Sequence, residues 1–172
     1  MKHLKNIWEF LKRAFSKEEI VVPPTPDPNP PPDPGVYMTQ KEVRAALIDQ
    51  LSGKFSKSIK IYLPDTKYYC PSLAYTKKVL AESMTDARTY VAETHDCDDF
   101  AIMVKSDFVT DAYRNGARRA PHCIGIVWGL LPGSHALNWV LNSDGILRFI
   151  EAQTDAIFLP RENDKGIWLM LA

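Results

Sequence analysis

The sequence predicts an α+β domain in which helices come first and an antiparallel sheet follows. Three observations point there. Apolar residues recur at helical spacing as far as Ala112. From Cys123 onward the segments turn β-rich. Between two of them, Asn142-Ser143-Asp144-Gly145 has the composition of a hairpin turn.

The chain has 172 residues, and eight of its 13 prolines fall between Pro23 and Pro34. That clustering divides it into an amphipathic helix over 1–20, a Pro-rich linker over 21–35 and a domain over 36–172. In the first part Leu4, Ile7, Trp8, Leu11 and Phe15 recur at helical spacing, with lysines mostly opposite. Such a helix suits a protein partner or, less well, a membrane surface. Proline offers no backbone N–H, so the second part reads as a polyproline tether.

Within the domain, Thr39-Gln40-Lys41-Glu42 reads as a capping box, and Val43, Ala46, Leu47 and Leu51 line one face of the helix it opens. Ile59 to Leu63 reads as a short strand stopped by Pro64-Asp65. Ser72 caps a second helix running to about Ser83. A third starts at Asp96 or Cys97, carries Phe100, Ala101, Val104 and Phe108 inward, and ends at Asn115-Gly116. Strands are expected over Cys123–Trp128, His135–Leu141, Ile146–Glu151 and Ile167–Leu171.

Lys+Arg and Asp+Glu both number 21, giving zero formal charge. A general nucleic-acid binder carries a basic excess, so no nucleic acid is expected. No apolar run is long enough for a transmembrane helix, and the basic N-terminus lacks the apolar core of a signal peptide. A cytoplasmic or virion-associated location is the expectation. Cys70, Cys97 and Cys123 make a poor disulfide framework and read as reduced thiols. No cofactor and no metal are expected. A zinc set of His95, Cys97, His122 and Cys123 is disfavoured because neighbours on a strand point to opposite faces.

The chemistry concentrates in three places. Cys97 stands at the first turn of the third helix, where unpaired N–H groups and the helix dipole favour a thiolate. Asp96, Asp98 and Asp99 oppose that. His135 begins a strand and can serve as the base such a thiol needs. Glu151 lies across the hairpin. With the turn centred on Ser143 and Asp144, Glu151 falls opposite Ala136, beside His135, where a carboxylate orients an imidazole.

The stretch Asp96-Cys97-Asp98-Asp99-Phe100-Ala101, then His135-Ala136, then Glu151-Ala152-Gln153-Thr154, resembles the transglutaminase-like cysteine-enzyme superfamily, of papain-like Cys–His–Asp/Glu type. The resemblance covers roughly residues 94 to 155. It implies a catalytic set of Cys97, His135 and Glu151, with Tyr68, Tyr69 or Asp96 as oxyanion or pocket residues. It implies an amide hydrolase or acyl transferase, a thiol peptidase acting on a peptide, isopeptide or murein-type amide. The sequence departs from the family at three points: Glu151 for aspartate, Leu137 for the aromatic after His-Ala, and His95 for a glycine. The other reading is an inert binding or structural module of a phage or mobile-element assembly.

Overall fold

A computed structural model describes residues 35–114, 119–131 and 133–172. The expected helix over 1–20, nearly all of the linker over 21–35 and the Asn115-Gly116 cap lie outside the described residues.

Eight strands and three helices are described: β1 (Val36–Thr39), α1 (Gln40–Gln50), β2 (Phe55–Tyr62), β3 (Lys67–Cys70), α2 (Leu73–Glu82), α3 (Cys97–Arg114), β4 (Ile124–Leu130), β5 (Ser134–Leu141), β6 (Leu147–Glu151), β7 (Ala156–Phe158) and β8 (Lys165–Leu171). Six strands form one sheet in the order β2-β8-β4-β5-β6-β7, and β1 pairs with β3 in a separate ribbon. The main sheet is antiparallel except for its edge, where β2 runs parallel to β8.

The expected order, helices first and an antiparallel sheet after, is therefore corrected. Strands β1, β2 and β3 are interleaved with the helices, and the architecture is mostly β. Each strand of the ribbon is four residues long, too short to alternate visibly. Tyr68, Tyr69 and Cys70 are buried in succession, which hides the period of two.

The helix starts follow local chemistry. Thr39 accepts from the N–H of Glu42, and the Glu42 carboxylate accepts from the N–H of Thr39 at 2.7 Å. Ser72 caps α2 through the N–H of Tyr75 at 3.0 Å. Each such cap is worth about 1 kcal/mol.

Strand alternation divides the core into two layers. Val127, Leu137, Trp139, Leu141 and Phe149 face α1 and pack with Val43, Leu47 and Leu51. Ile124, Val140 and Ile150 face the other way, onto Val79 and Leu80 of α2 and Phe100, Val104 and Phe108 of α3. Asn138 fastens α3 to the sheet, its amide donating to the carbonyls of Ala101 at 2.8 Å and Gly125 at 3.2 Å.

All three cysteines are free thiols. Cys70 and Cys123 are buried and hydrogen-bonded to each other. Burial, then Cys70, pushes the Cys123 thiol well above its ordinary value, with buried Lys105 partly offsetting them. No helix among the described residues is long and apolar enough to cross a membrane.

The β6–β7 turn carries a titration of its own. Asp155 adopts φ 55° there. Burial, then the charges of Asp86 and Asp107, push its carboxyl up to about 6. Unfolded Asp titrates near 3.9, so between about pH 4 and 6 the folded protein holds the extra proton, and stability falls as pH rises. The group is partly exposed, so solvent screening reduces the cost of ionisation to roughly 1 kcal/mol. Asp155→Asn keeps a side chain that tolerates the left-handed backbone. It raises the melting temperature by a few degrees at pH 7 and by little at pH 4. Equal gains at both pH values would refute the titration.

Candidate functional site

The site forms where the start of α3 meets β5. Asp96 precedes the helix, and the Asp99 carboxylate reaches back to its N–H at 3.1 Å, as the second half of a capping box does. This fixes Cys97 at the first helical position. Its sulfur lies against β5, where it receives the backbone N–H of Ala136. Cys97 and Trp128 both pack on a small cluster of Ala101, Ile126 and Ala136.

The charge environment runs against the expected thiolate. Burial first, then the Asp96 and Asp98 carboxylates, push the Cys97 thiol above its ordinary value, while the N–H groups of Ala136 and Asp98 pull it down. Asp96 and Asp98 share a hydrogen bond. That bond raises the Asp98 carboxyl and lowers that of Asp96. Donor atoms of Asp96, Cys97 and Asp98 lie within 4.8 Å of one another. Hard carboxylates and a soft thiol are a mixed set that matches no single cation well.

His135 bonds through Nε2 to Glu151 Oε2 at 2.8 Å, with side-chain exposures of 21% and 25%. The contact depends on a register one residue away from the expected one. The ladder pairs Leu141 with Leu147 and Asn138 with Ile150. The turn is therefore centred on Asp144, with Gly145 at φ 75° closing an odd-length loop. One further step puts Glu151 level with Leu137, on the same face as His135 and diagonal to it, within reach of a long side chain. In the expected register the two would have pointed to opposite faces. Burial raises the Glu151 carboxyl, but the hydrogen bond and charge of His135 outweigh it and leave the group below its ordinary value.

Tyr68 and Tyr69 lie elsewhere. Tyr68 is fully buried, its hydroxyl accepting from the N–H of Asp65 at 3.0 Å. Tyr69 packs edge-on to Tyr37 and His122. His122 in turn meets Asp111 at 2.7 Å, about 20 Å along α3 from Cys97 at 1.5 Å per residue. The zinc set is dispersed for the same reason: His122 is engaged with Asp111, and Cys123 with Cys70.

Sequence reading missed two residues beside the site. Trp128 lies level with Ala136 on β4. Its ring is 6.2 Å from that of Trp168 on β8, which is 47% exposed. A half-exposed Trp in the final strand was the available signal, visible once Gly-Ile-Trp-Leu-Met-Leu is read as alternating. His95, which the sequence had singled out, has a buried Nε2 without a partner among the described residues, and its ring is 4.4 Å from that of Phe100.

Comparison with known proteins now bears on this geometry. No curated protein sequence matches the chain. A solved structure described as a PSL1a–E64 complex superposes with a TM-score of 0.68 at 22% identity, covering 79% of this chain and 51% of that one. Polyporus squamosus lectin, bound to the human-type influenza-binding epitope Neu5Aca2-6Galb1-4GlcNAc, gives 0.67 at 23% identity, covering 79% and 49%. At these identities the likeness is one of fold, and the chain spans about half the length of those it matches.

These findings correct the resemblance to transglutaminase-like, papain-like cysteine enzymes, because the neighbouring fold is that of a lectin. The expectations that rested on the resemblance fall with it: the thiol hydrolase or acyl transferase, and the peptide, isopeptide or murein-type substrate. The binding-module alternative is nearer, but the structural neighbours are not parts of a phage assembly. The Agglutinin C-terminal family model matches residues 68–157, from β3 through most of β7. Cys97, His135 and Glu151 all fall inside that span, which is more than half of the chain, and the protein belongs to the Agglutinin C-terminal family.

Proposed function

We propose that the protein is a ligand-binding domain of agglutinin type, and that it holds a saccharide against Trp128 and Trp168, beside the start of α3. The observation that carries this reading is the Trp128–Trp168 pair, with Trp128 packed in the same small cluster as Cys97. Aromatic faces stack on the C–H faces of sugars, and Trp168 is half-exposed, so its ring is open to a ligand. The lectin neighbour's saccharide supports the class of ligand.

Titration with Neu5Aca2-6Galb1-4GlcNAc, read by tryptophan fluorescence, tests this. Binding in the micromolar to millimolar range is expected, with at least a tenfold loss in Trp168→Ala, on the order of 1.4 kcal/mol. An unchanged spectrum at millimolar saccharide sinks the reading.

A second reading has its own specific observation, the partly exposed Cys97 thiol against the peptide that joins His135 to Ala136. Here Cys97, His135 and Glu151 form one thiol site. Cys97 bonds an electrophilic ligand, His135 accepts the thiol proton and Glu151 steadies the ring. The neighbour's complex with E64 supplies the probe. A stable mass increase with E64 that disappears in Cys97→Ala supports it. The same increase in Cys97→Ala overturns it.

A further inference from the structure

We propose that the groove between α2 and α3 binds a small hydroxyl-bearing carboxylate, a sugar acid being the plainest example. This site is distinct from the surface around Cys97. Thr110 and Arg114 come 13 and 17 residues later on the same helix, about 20 to 25 Å away.

The groove encloses about 410 Å³, room for one or two sugar rings. Its walls bear both signs of charge, but the two signs are not equally committed. Asp107 accepts from the hydroxyls of Ser83 at 2.6 Å and Thr85 at 3.2 Å. Asp111 accepts from the Tyr75 hydroxyl at 2.9 Å and meets His122 Nε2 at 2.7 Å. Glu82 faces Lys78 at 3.9 Å. Each carboxylate thus has a protein partner, although Asp107 keeps its charge and, among the described residues, one oxygen open.

Arg88 and Arg114 also line the groove, and among the described residues neither has an ion pair or a side-chain hydrogen bond. These two guanidinium groups are the open donors of the groove, and they suit an oxyanion. The planar guanidinium fork matches a carboxylate in two parallel bonds. The Thr110 hydroxyl and the remaining lone pairs of Asp107 are placed to meet ligand hydroxyls. Lys78 adds charge at the rim, so binding weakens as salt rises.

The test is an amide-resolved NMR titration of the full chain with D-glucuronate, D-glucose and acetate at low salt. Glucuronate is expected to shift the amides of Arg88, Thr110 and Arg114, with affinity at least tenfold above that of glucose and of acetate. The double variant R88Q/R114Q is expected to lose at least tenfold. Both positions are on the surface, and an unchanged spectrum elsewhere reports that the fold is intact. Arg114→Lys keeps the charge but not the fork, and is expected to lose about threefold. Glucose binding as well as glucuronate overturns the proposal, as does full affinity in R88Q/R114Q. Shifts confined to Trp128 and Trp168 also overturn it, and they place the ligand at the Trp pair instead. Groove shifts without shifts at Trp128 and Trp168 support the groove, and the trisaccharide titration decides the proposed function separately.

Discussion

Gly125→Ala is expected to cost about 3 kcal/mol or more, enough to lower the melting temperature by on the order of 10 °C. Gly125 lies in β4 opposite Trp139 of β5. A Cβ there would stand 1.9 Å from the carbonyl oxygen of Leu171 and 2.6 Å from Trp139 Nε1. The first contact is with backbone, so no rotamer change relieves it. β8 pairs with β4 through Ile126 and Leu171, and moving Leu171 away breaks the ladder at the centre of the sheet. Trp139 is fully buried and has no room to retreat. Gly129→Ala is the control. Its Cβ would meet Ile167 at 3.1 Å, which a small shift absorbs at about 1 kcal/mol. Thermal melts of the two variants should differ clearly. A Gly125→Ala protein as stable as Gly129→Ala would mean that β4 and β8 are farther apart than described.

Neither glycine announces this in the sequence, because a close approach depends on β8, far along the chain. What the sequence did disclose was local. The Thr39 capping box, the Ser72 cap, Cys97 at the start of α3 and the hairpin after Leu141 all rest on residues within one turn of each other. The meeting of His135 with Glu151 was also legible, because a tight turn joins the two strands. Its register was not, since Ser143, Asp144 and Gly145 fit an even or an odd loop, and only the observed pairing of Leu141 with Leu147 decides. The ribbon of β1 with β3 and the parallel pairing of β2 with β8 were out of reach, because each joins segments that carry no periodic signal for one another. Tyr68 and Tyr69 show how proximity to a motif misleads. They lie near the start of α2 in sequence, yet their burial serves the ribbon and the α1 layer. The family likewise was not legible in the Cys–His–Glu pattern. Such a constellation recurs on unrelated folds, and chain topology is what separates them.

The second large effect concerns the three thiols. Cys97 should react with iodoacetamide on the order of 100-fold faster than Cys70 or Cys123, since reaction needs both a thiolate and access. Cys70 and Cys123 are fully buried, and the Cys123 thiol is held far above its ordinary value. Cys97 is partly exposed, yet it too is raised, first by burial and then by Asp96 and Asp98. Its rate should therefore climb about tenfold per pH unit through neutrality and level off only above the ordinary thiol range. Asp98→Asn separates these causes. The variant keeps the backbone N–H that favours the thiolate and removes a carboxylate that opposes it, so labelling at pH 8 should rise roughly threefold. Peptide mapping after timed alkylation measures both quantities. If Asp98→Asn slows labelling instead, the Asp98 side chain was positioning Cys97 rather than suppressing it, and the carboxylates at the head of α3 would be part of the site and not its restraint.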